Sequence, residues 1–244
     1  MADKKVLVVG VTGLVGFAAA RHFAADPAFD VVGLARRRPT GLPERVELLS
    51  VDLQDAQSAQ STLRGLGDVT HVVYAALYEE PGLIAGWRSP NQMATNLDML
   101  RTLLDPLLST SEVEHISILQ GTKAYGAHVE PMAVPGRERN PRHRHENFYW
   151  LQEDELRSRA AQHGFGWSVF RPVVIFGEAI GGNMNPIPAL GTYAGLLRAA
   201  GEPLHWPGGI ASITEAVDAD LVGAALHWAA THEVARNQIF NVAN

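Results

Sequence analysis

Tyr149 and Lys123 carry the side chains in this sequence best suited to acid–base chemistry. A phenol can give a carbonyl oxygen a proton or a hydrogen bond, and an ammonium can support it. An unperturbed phenol has a pKa of about 10, and a downward shift of about two to three units, about 3 to 4 kcal/mol, would make it a useful proton relay near neutrality. One ammonium at about 4 Å and an effective dielectric of about 20 supplies about 4 kcal/mol. The residue one helical turn beyond Tyr149 is Glu153, a carboxylate that is expected to raise the phenol's pKa. Lys123 is therefore the expected source of positive charge.

A second constellation lies near the start. Lys5 to Gly16 reads KVLVVGVTGLVG, an apolar strand running into glycines at 10, 13 and 16 and then into the helix-favouring Phe17-Ala18-Ala19-Ala20. Strand, tight turn and helix at this spacing form a dinucleotide cradle. Gly10 allows the turn, Gly13 lets the backbone approach a pyrophosphate, and Gly16 lets helix and strand pack closely. Thr12, Leu14 and Val15 complete the loop, and the anion sits on the helix N-terminus. Lys4 and Lys5 before an apolar run also resemble a secretory signal, but the three glycines interrupt that run, and Arg21 and His22 continue an amphipathic helix.

The elements that position these residues follow in order. Phe29–Ala35 reads as a second strand, followed by Arg36-Arg37-Arg38 where NAD-binding chains usually carry an acid. Guanidinium groups there suit a 2′-phosphate, so NADPH/NADP+ is the expected cofactor. Val46–Leu53 is a third strand ending at Asp52-Leu53 beside the adenine pocket, and residues 56–66 read as a helix. His71–Ala76 is a fourth strand whose Ala75-Ala76 end leaves room for the cofactor. Residues 91–108 read as a helix with an apolar stripe, in which Asn96 is either a buried support for the site or a surface residue. His115–Leu119 opens into Gln120-Gly121-Thr122-Lys123, Asn147–His163 is a helix stopped by Gly164, and Trp167–Ile175 is a sixth strand carrying Pro172 and Val174. The alternation predicts an α/β, Rossmann-type doubly wound parallel sheet with a small C-terminal substrate-binding region. Residues 1–177 are expected to form the NADP-binding domain, and 178–244 a partial substrate-binding region with elements returning to the core.

The bulk properties agree with one large α/β core at 244 residues. A net charge of −6 argues against a nucleic-acid surface, and no apolar run is long enough to span a bilayer. There are no cysteines, so neither disulfides nor a thiolate zinc site can form; a cytoplasmic location fits this. His128, His143 and His145 lack the ordered spacing of metal ligands and read as loop residues, with no metal expected.

Taken together, Gly10-x-x-Gly13-x-x-Gly16, Ala35-Arg36-Arg37, the run Gln120 to Gly126 and the run Asn147 to Asp154 resemble the progesterone 5β-reductase and iridoid synthase family, atypical extended short-chain dehydrogenase/reductases. The likeness continues through Arg171-Pro172, Ile175-Phe176-Gly177, the loop Gly181 to Asn185, His205 to Gly208, Val217 to Leu221 and Ile239 to Asn244. It implies NADPH-dependent reduction of carbon–carbon double bonds conjugated to a carbonyl. Tyr149 would hydrogen-bond the carbonyl oxygen and stabilise the developing enolate, while Lys123 would hold the cofactor ribose and tune Tyr149. Gln120, Pro172 and Val174 would border the cofactor. Trp150 stands where many relatives have a second Tyr, and the chain stops at Asn244 where relatives continue with a part that helps cover the substrate. An expected partner is a small carbonyl or enone, with no nucleic acid and no membrane; a homodimer is the assembly to test. Three other readings use the same residues. They are an aldehyde or ketone reductase, a nucleotide-sugar epimerase or dehydratase, against which Glu153 speaks, and a non-catalytic NADP-binding regulator.

Overall fold

The glycine-rich start forms β1 (Lys4–Val9), a turn, and α1 (Leu14–Ala25) in a computed structural model that describes residues 2–37, 39–82, 86–179, 185–209 and 214–244. Arg38 and residues 181–184 of the loop 181–185 lie outside the described residues. The chain continues through β2 (Phe29–Ala35), β3 (Val46–Ser50), α2 (Ala56–Leu63), β4 (His71–Tyr74), α3 (Pro90–Leu108), β5 (His115–Leu119) and α4 (Phe148–His163). It ends through β6 (Gly166–Pro172), β7 (Val174–Phe176), α5 (Pro186–Ala200), β8 (Ala216–Asp218), α6 (Ala219–Thr231) and β9 (Gln238–Val242).

Seven strands make one parallel sheet in the order β3-β2-β1-β4-β5-β6-β9. Alternating side chains feed two cores, as the period of a strand requires. Val6 and Val8 pack with Ala19, Ala20 and Phe23 of α1 and with Val222 and Leu226 of α6. Leu7 and Val9 face the other way, toward Leu100, Leu103 and Leu104 of α3 and Leu156 of α4. With helices on both faces, the central strands read as nearly continuous apolar runs. Order reverses between β1 and β4, the place where such sheets open a crevice at their carboxyl edge.

The doubly wound parallel fold is as the sequence predicts, with three adjustments. The apolar stretch 167–175 is two strands, because the chain leaves the main sheet after Pro172 and β7 pairs instead with β8. A proline has no N–H to extend a ladder, which is why the run breaks there. The third strand stops at Ser50 and the fourth at Tyr74, so Val51 to Leu53 and Ala75-Ala76 lie beyond the ladders. Beyond residue 177, α6 packs on α1 and β9 on β6, whereas no residue of α5 is buried. No described helix is long and apolar enough to cross a membrane.

Two histidines are sealed at the amino edge of the sheet. His71 is 2 % exposed, with Nδ1 2.8 Å from Thr70 Oγ1 and Nε2 3.1 Å from the Ala230 carbonyl. His115 is 3 % exposed, with Nε2 3.1 Å from Ser168 Oγ. Burial pushes both down to about 4, with Lys4 and Arg236 adding to it at His71, and His71 and Arg236 at His115. In the unfolded chain each titrates at about 6.5, so unfolding takes up protons between about pH 6.5 and 4, and stability falls as pH falls through that window. Thermal melts between pH 7 and pH 4.5 should show a destabilisation that approaches about 1.4 kcal/mol per pH unit for each histidine. A His71→Gln, His115→Gln double variant should flatten that slope; an equally steep slope would show that the histidines are not its source.

Candidate active site

The crevice at the switch point is a cavity of about 690 Å³. Its floor is the turn after β1. Gly10 has φ +84°, and a Cβ there would fall 2.8 Å from the backbone of Ala75 and Ala76, so only glycine fits. Gly13 caps α1 without a side chain, leaving the first-turn amides available to an anion. Gly16 does not line the cavity; a Cβ there would come 2.7 Å from the Gly10 carbonyl carbon, so its task is to let α1 seat against the turn. A bare loop, an uncapped helix N-terminus and a strand end without a carboxylate fit a phosphorylated dinucleotide.

The same cavity is lined by Thr12, Leu14, Val15, Arg36, Arg37, Asp52, Leu53, Ala75, Ala76, Gln120, Pro172 and Val174, together with Lys123 and Tyr149. Of the described residues expected to bind cofactor or to act on substrate, all but Gly16 line this one space. Gln120 contributes backbone and shape more than a free amide. Its Nε2 donates to the Tyr149 carbonyl (3.2 Å) and to Glu153 Oε2 (2.9 Å), and its Oε1 accepts from Arg171 Nε (2.8 Å).

Tyr149 is set by the start of α4. Asn147 is 2 % exposed and caps the helix; its Oδ1 accepts from Tyr149 N (3.0 Å) while its Nδ2 donates to the Lys123 carbonyl (3.1 Å). One side chain therefore ties the phenol's helix to the short 3₁₀ turn Thr122–Tyr125 that carries the lysine. The Lys123 ammonium lies 3.6 Å from the centroid of Trp87, and that indole packs edge-on to Tyr149 at 5.1 Å and against Phe148 at 4.7 Å. Trp87 was not legible as a site residue, because it sits in the connection before α3 with no periodic pattern around it.

The electrostatics correct two expectations. Lys123 does not depress the phenol. Burial, aided by the charge of Glu79, pushes Tyr149 well above the ordinary phenol range. Among the described residues no hydrogen bond joins the ammonium to the hydroxyl. Burial also pulls Lys123 down to about 8, with Glu79 opposing. Tyr149 is thus a neutral O–H donor. The carboxylate felt by Tyr149 is Glu79, not Glu153. Glu153 is 2 % exposed and is saturated by Gln120, by Arg157 Nε and Nη2 (3.0 and 2.9 Å), and by Arg142 Nη2 at 3.0 Å, with Arg171 Nη2 at 3.7 Å. Burial alone would raise it, and these donors outweigh that and hold it low. Its charge is neutralised within that cluster.

The histidines of the irregular segment join this wall from outside. His143 Nε2 is 2.8 Å from Glu130 Oε1 and its Nδ1 is 2.7 Å from His145 Nδ1, while His145 Nε2 is 3.0 Å from Asn147 Nδ2. Removing Asn147 should cut both the cap and the cross-link. Asn147→Ala is expected to lower stability by about 1 kcal/mol, measured by urea unfolding. Any activity measured for this site should fall by more than that loss of folded protein explains.

The model of the NAD dependent epimerase/dehydratase family matches residues 6–243. Similar curated proteins include an (S)-8-oxocitronellyl enol synthase of Antirrhinum majus, 31 % identical over 98 % of this chain and 64 % of its own length. Another is a 3-oxo-Delta(4,5)-steroid 5-beta-reductase of Arabidopsis thaliana, 31 % identical over 99 % of this chain and 65 % of its own. These bear out the resemblance seen in the motifs. The chain spans less than two thirds of the length of these relatives. Among solved structures, UDP-glucose 4-epimerase of Thermotoga maritima superposes with a TM-score of 0.78 at 19 % identity, covering 98 % of this chain and 77 % of that one, which shows the shared fold.

Proposed function

The chain belongs to the NAD dependent epimerase/dehydratase family, and on that premise we propose that it is an NADPH-dependent reductase of activated carbon–carbon double bonds, taking a small enone or enal by 1,4-reduction. The observation that carries this reading is one cavity with an arginine pair at one end and a neutral, half-buried phenol cross-linked to a lysine turn at the other. Arg36 and Arg37 offer two guanidinium groups to a 2′-phosphate at the end of β2, where an acid would favour NAD. Bound NADPH supplies the hydride.

The chain's own residues do the rest. Tyr149 donates a hydrogen bond to the substrate carbonyl oxygen, the atom on which negative charge grows as the β-carbon is reduced. An enolate needs that charge stabilised more than it needs an immediate proton, so a phenol whose pKa is raised still serves. Lys123, mostly ammonium below about pH 8, adds positive charge and holds the ribose. Pro172 and Val174 bound the nicotinamide end, and Phe148 and Trp87 keep water from the phenol's other face. Glu153, standing where a lysine would support the tyrosine in an epimerase-type site, is bound into its arginine cluster. Residues 1–177 would then be the cofactor domain, with 178–244 bordering the substrate. The exposed Ile187, Leu190 and Leu196 of α5 are suited to that cover.

Following NADPH oxidation with 2-nonenal, cyclohexenone and nonanal, and identifying the products, tests the reading. Saturated aldehyde from 2-nonenal, with nonanal left untouched, is the expected result; an allylic alcohol would make the protein a carbonyl reductase instead. Tyr149→Phe should lower kcat by about 100-fold or more. Unchanged turnover in that variant would remove the phenol from the mechanism. For the cofactor, Arg36→Ala with Arg37→Ala should weaken NADPH by about tenfold to 100-fold in a fluorescence titration and leave NADH little changed. Equal losses for both would count against the 2′-phosphate contact.

A further inference from the structure

One carboxylate in the cavity has no part in the steps above. Glu79 lies on the connection from β4 to α3, and the residues either side of it are pinned. Tyr78 N donates to Asn96 Oδ1 (3.0 Å), the Tyr78 carbonyl accepts from Asn96 Nδ2 (2.8 Å), and Glu80 N donates to Gln92 Oε1 (2.7 Å). Both clamps are side chains of α3 that are almost wholly buried, at 0 % and 1 % exposure. Gln152 of α4 ties them to the tyrosine's helix by donating to the Asn96 carbonyl at 2.9 Å. A surface Asn would do none of this.

This rigging holds the backbone at residue 79 in place against the cavity that Glu79 lines, close enough to Lys123 and Tyr149 for its charge to act on both. Yet Glu79 Oε1 is buried and has no hydrogen-bond partner among the described residues. Glu153 shows what the fold does for a buried carboxylate that it needs only for structure, giving it Gln120, Arg142 and Arg157. The nearby ammonium faces the Trp87 ring instead. A buried acceptor left open at the wall of a binding cavity is a place for a donor brought by the ligand.

We infer that Glu79 is a ligand-recognition residue, accepting a hydrogen bond from a hydroxyl group of the small molecule held beside Lys123 and Tyr149. The hydroxyl belongs either to the ribose of the dinucleotide or to a substrate hydroxylated near its conjugated carbonyl. The same charge repels ligands that carry a carboxylate there. The inference rests on the reductase reading for the identity of the ligand, and on the clamped, unpartnered carboxylate for the contact.

Glu79→Leu removes the acceptor, and Glu79→Gln keeps a weaker one without charge. NADPH affinity is measured by fluorescence in the absence of substrate. Separately, kcat and KM are measured for 2-nonenal and for nine-carbon 2-enals hydroxylated at C4, C5 or C6. A tenfold or greater loss of NADPH affinity in Glu79→Leu, with a smaller loss in Glu79→Gln, assigns the contact to the ribose. Unchanged NADPH affinity with a tenfold collapse in the preference for one hydroxylated enal, seen in KM more than kcat, assigns it to the substrate. Both quantities staying within twofold overturns the inference, including the case where only the pH profile moves, which would make Glu79 the counter-ion of Lys123. If Glu79→Leu fails to fold, Glu79→Gln and Glu79→Asp carry the comparison. Should the wild type bind NADPH but reduce neither enal nor enone, the reductase reading fails by itself. The Glu79 contact is then judged by NADPH affinity and by competition between hydroxylated and unsubstituted enals for the NADPH-loaded protein.

Discussion

The approach of the Gly10 turn to the end of β4 is the constraint on which the rest depends. Three backbone atoms of Ala75 and Ala76 lie 2.8 Å from where a Cβ on Gly10 would stand, and Gly16 must in turn let α1 sit against the same turn. Because β1 and β4 are neighbours at the point where strand order reverses, this contact sets the width of the crevice. A side chain at either glycine would push α1 away from β1, and with it the first-turn amides that Gly13 leaves uncapped. The space that Tyr149 lines is thus shaped by an approach at the other end of the same cavity.

Charge is distributed around that space with an asymmetry. Two carboxylates stand near Tyr149, and the fold treats them oppositely. Glu153 receives donors from Gln120, Arg142 and Arg157, which belong to three separate segments, and its negative charge is spent on fixing them. Arg171 stacks on Tyr125 and Trp150 at 5.0 and 5.8 Å while it holds Gln120. The result is a rigid base beneath the phenol rather than a charge beside it. Glu79 is given a fixed backbone and, among the described residues, no donor for Oε1. One acid is bound into the structure; the other lines the cavity with one oxygen open.

Legibility in the sequence followed the locality of the signal. The glycines, the arginine pair and the tyrosine are each defined by their place relative to one strand or helix, so the alternation of strands and helices was enough to bring them together. Lys123 could be chosen because it follows β5 directly. Trp87 and Glu79 could not, since they lie on the long connection between β4 and α3, where no period marks which side chains turn inward. The role of Glu153 is not legible locally, because the i+4 rule describes neighbours on an isolated helix, whereas Arg142 and Arg171 come from outside it. The break between β6 and β7 was carried by Pro172, a local cue that the surrounding apolar run concealed.

Asn96 shows how a polar residue in an apolar stripe should be weighed. Desolvating an amide among Met99, Leu100 and Leu103 is unfavourable unless its hydrogen bonds are met. Here three are, to both backbone groups of Tyr78 and to the Gln92 carbonyl. A leucine would fill that position more cheaply and leave the Tyr78 amide and carbonyl without partners. Gln92, one turn earlier, accepts from Glu80 N through Oε1, while its buried Nε2 finds no partner among the described residues. Two buried amides on consecutive turns, both directed at one irregular segment, stabilise a particular path for residues 78–80 more than they stabilise the helix that bears them. The path they hold is the one that brings the Glu79 carboxylate to the part of the cavity lined by Lys123 and Tyr149, so the energetic cost of burying Asn96 is offset at that wall and not in the core.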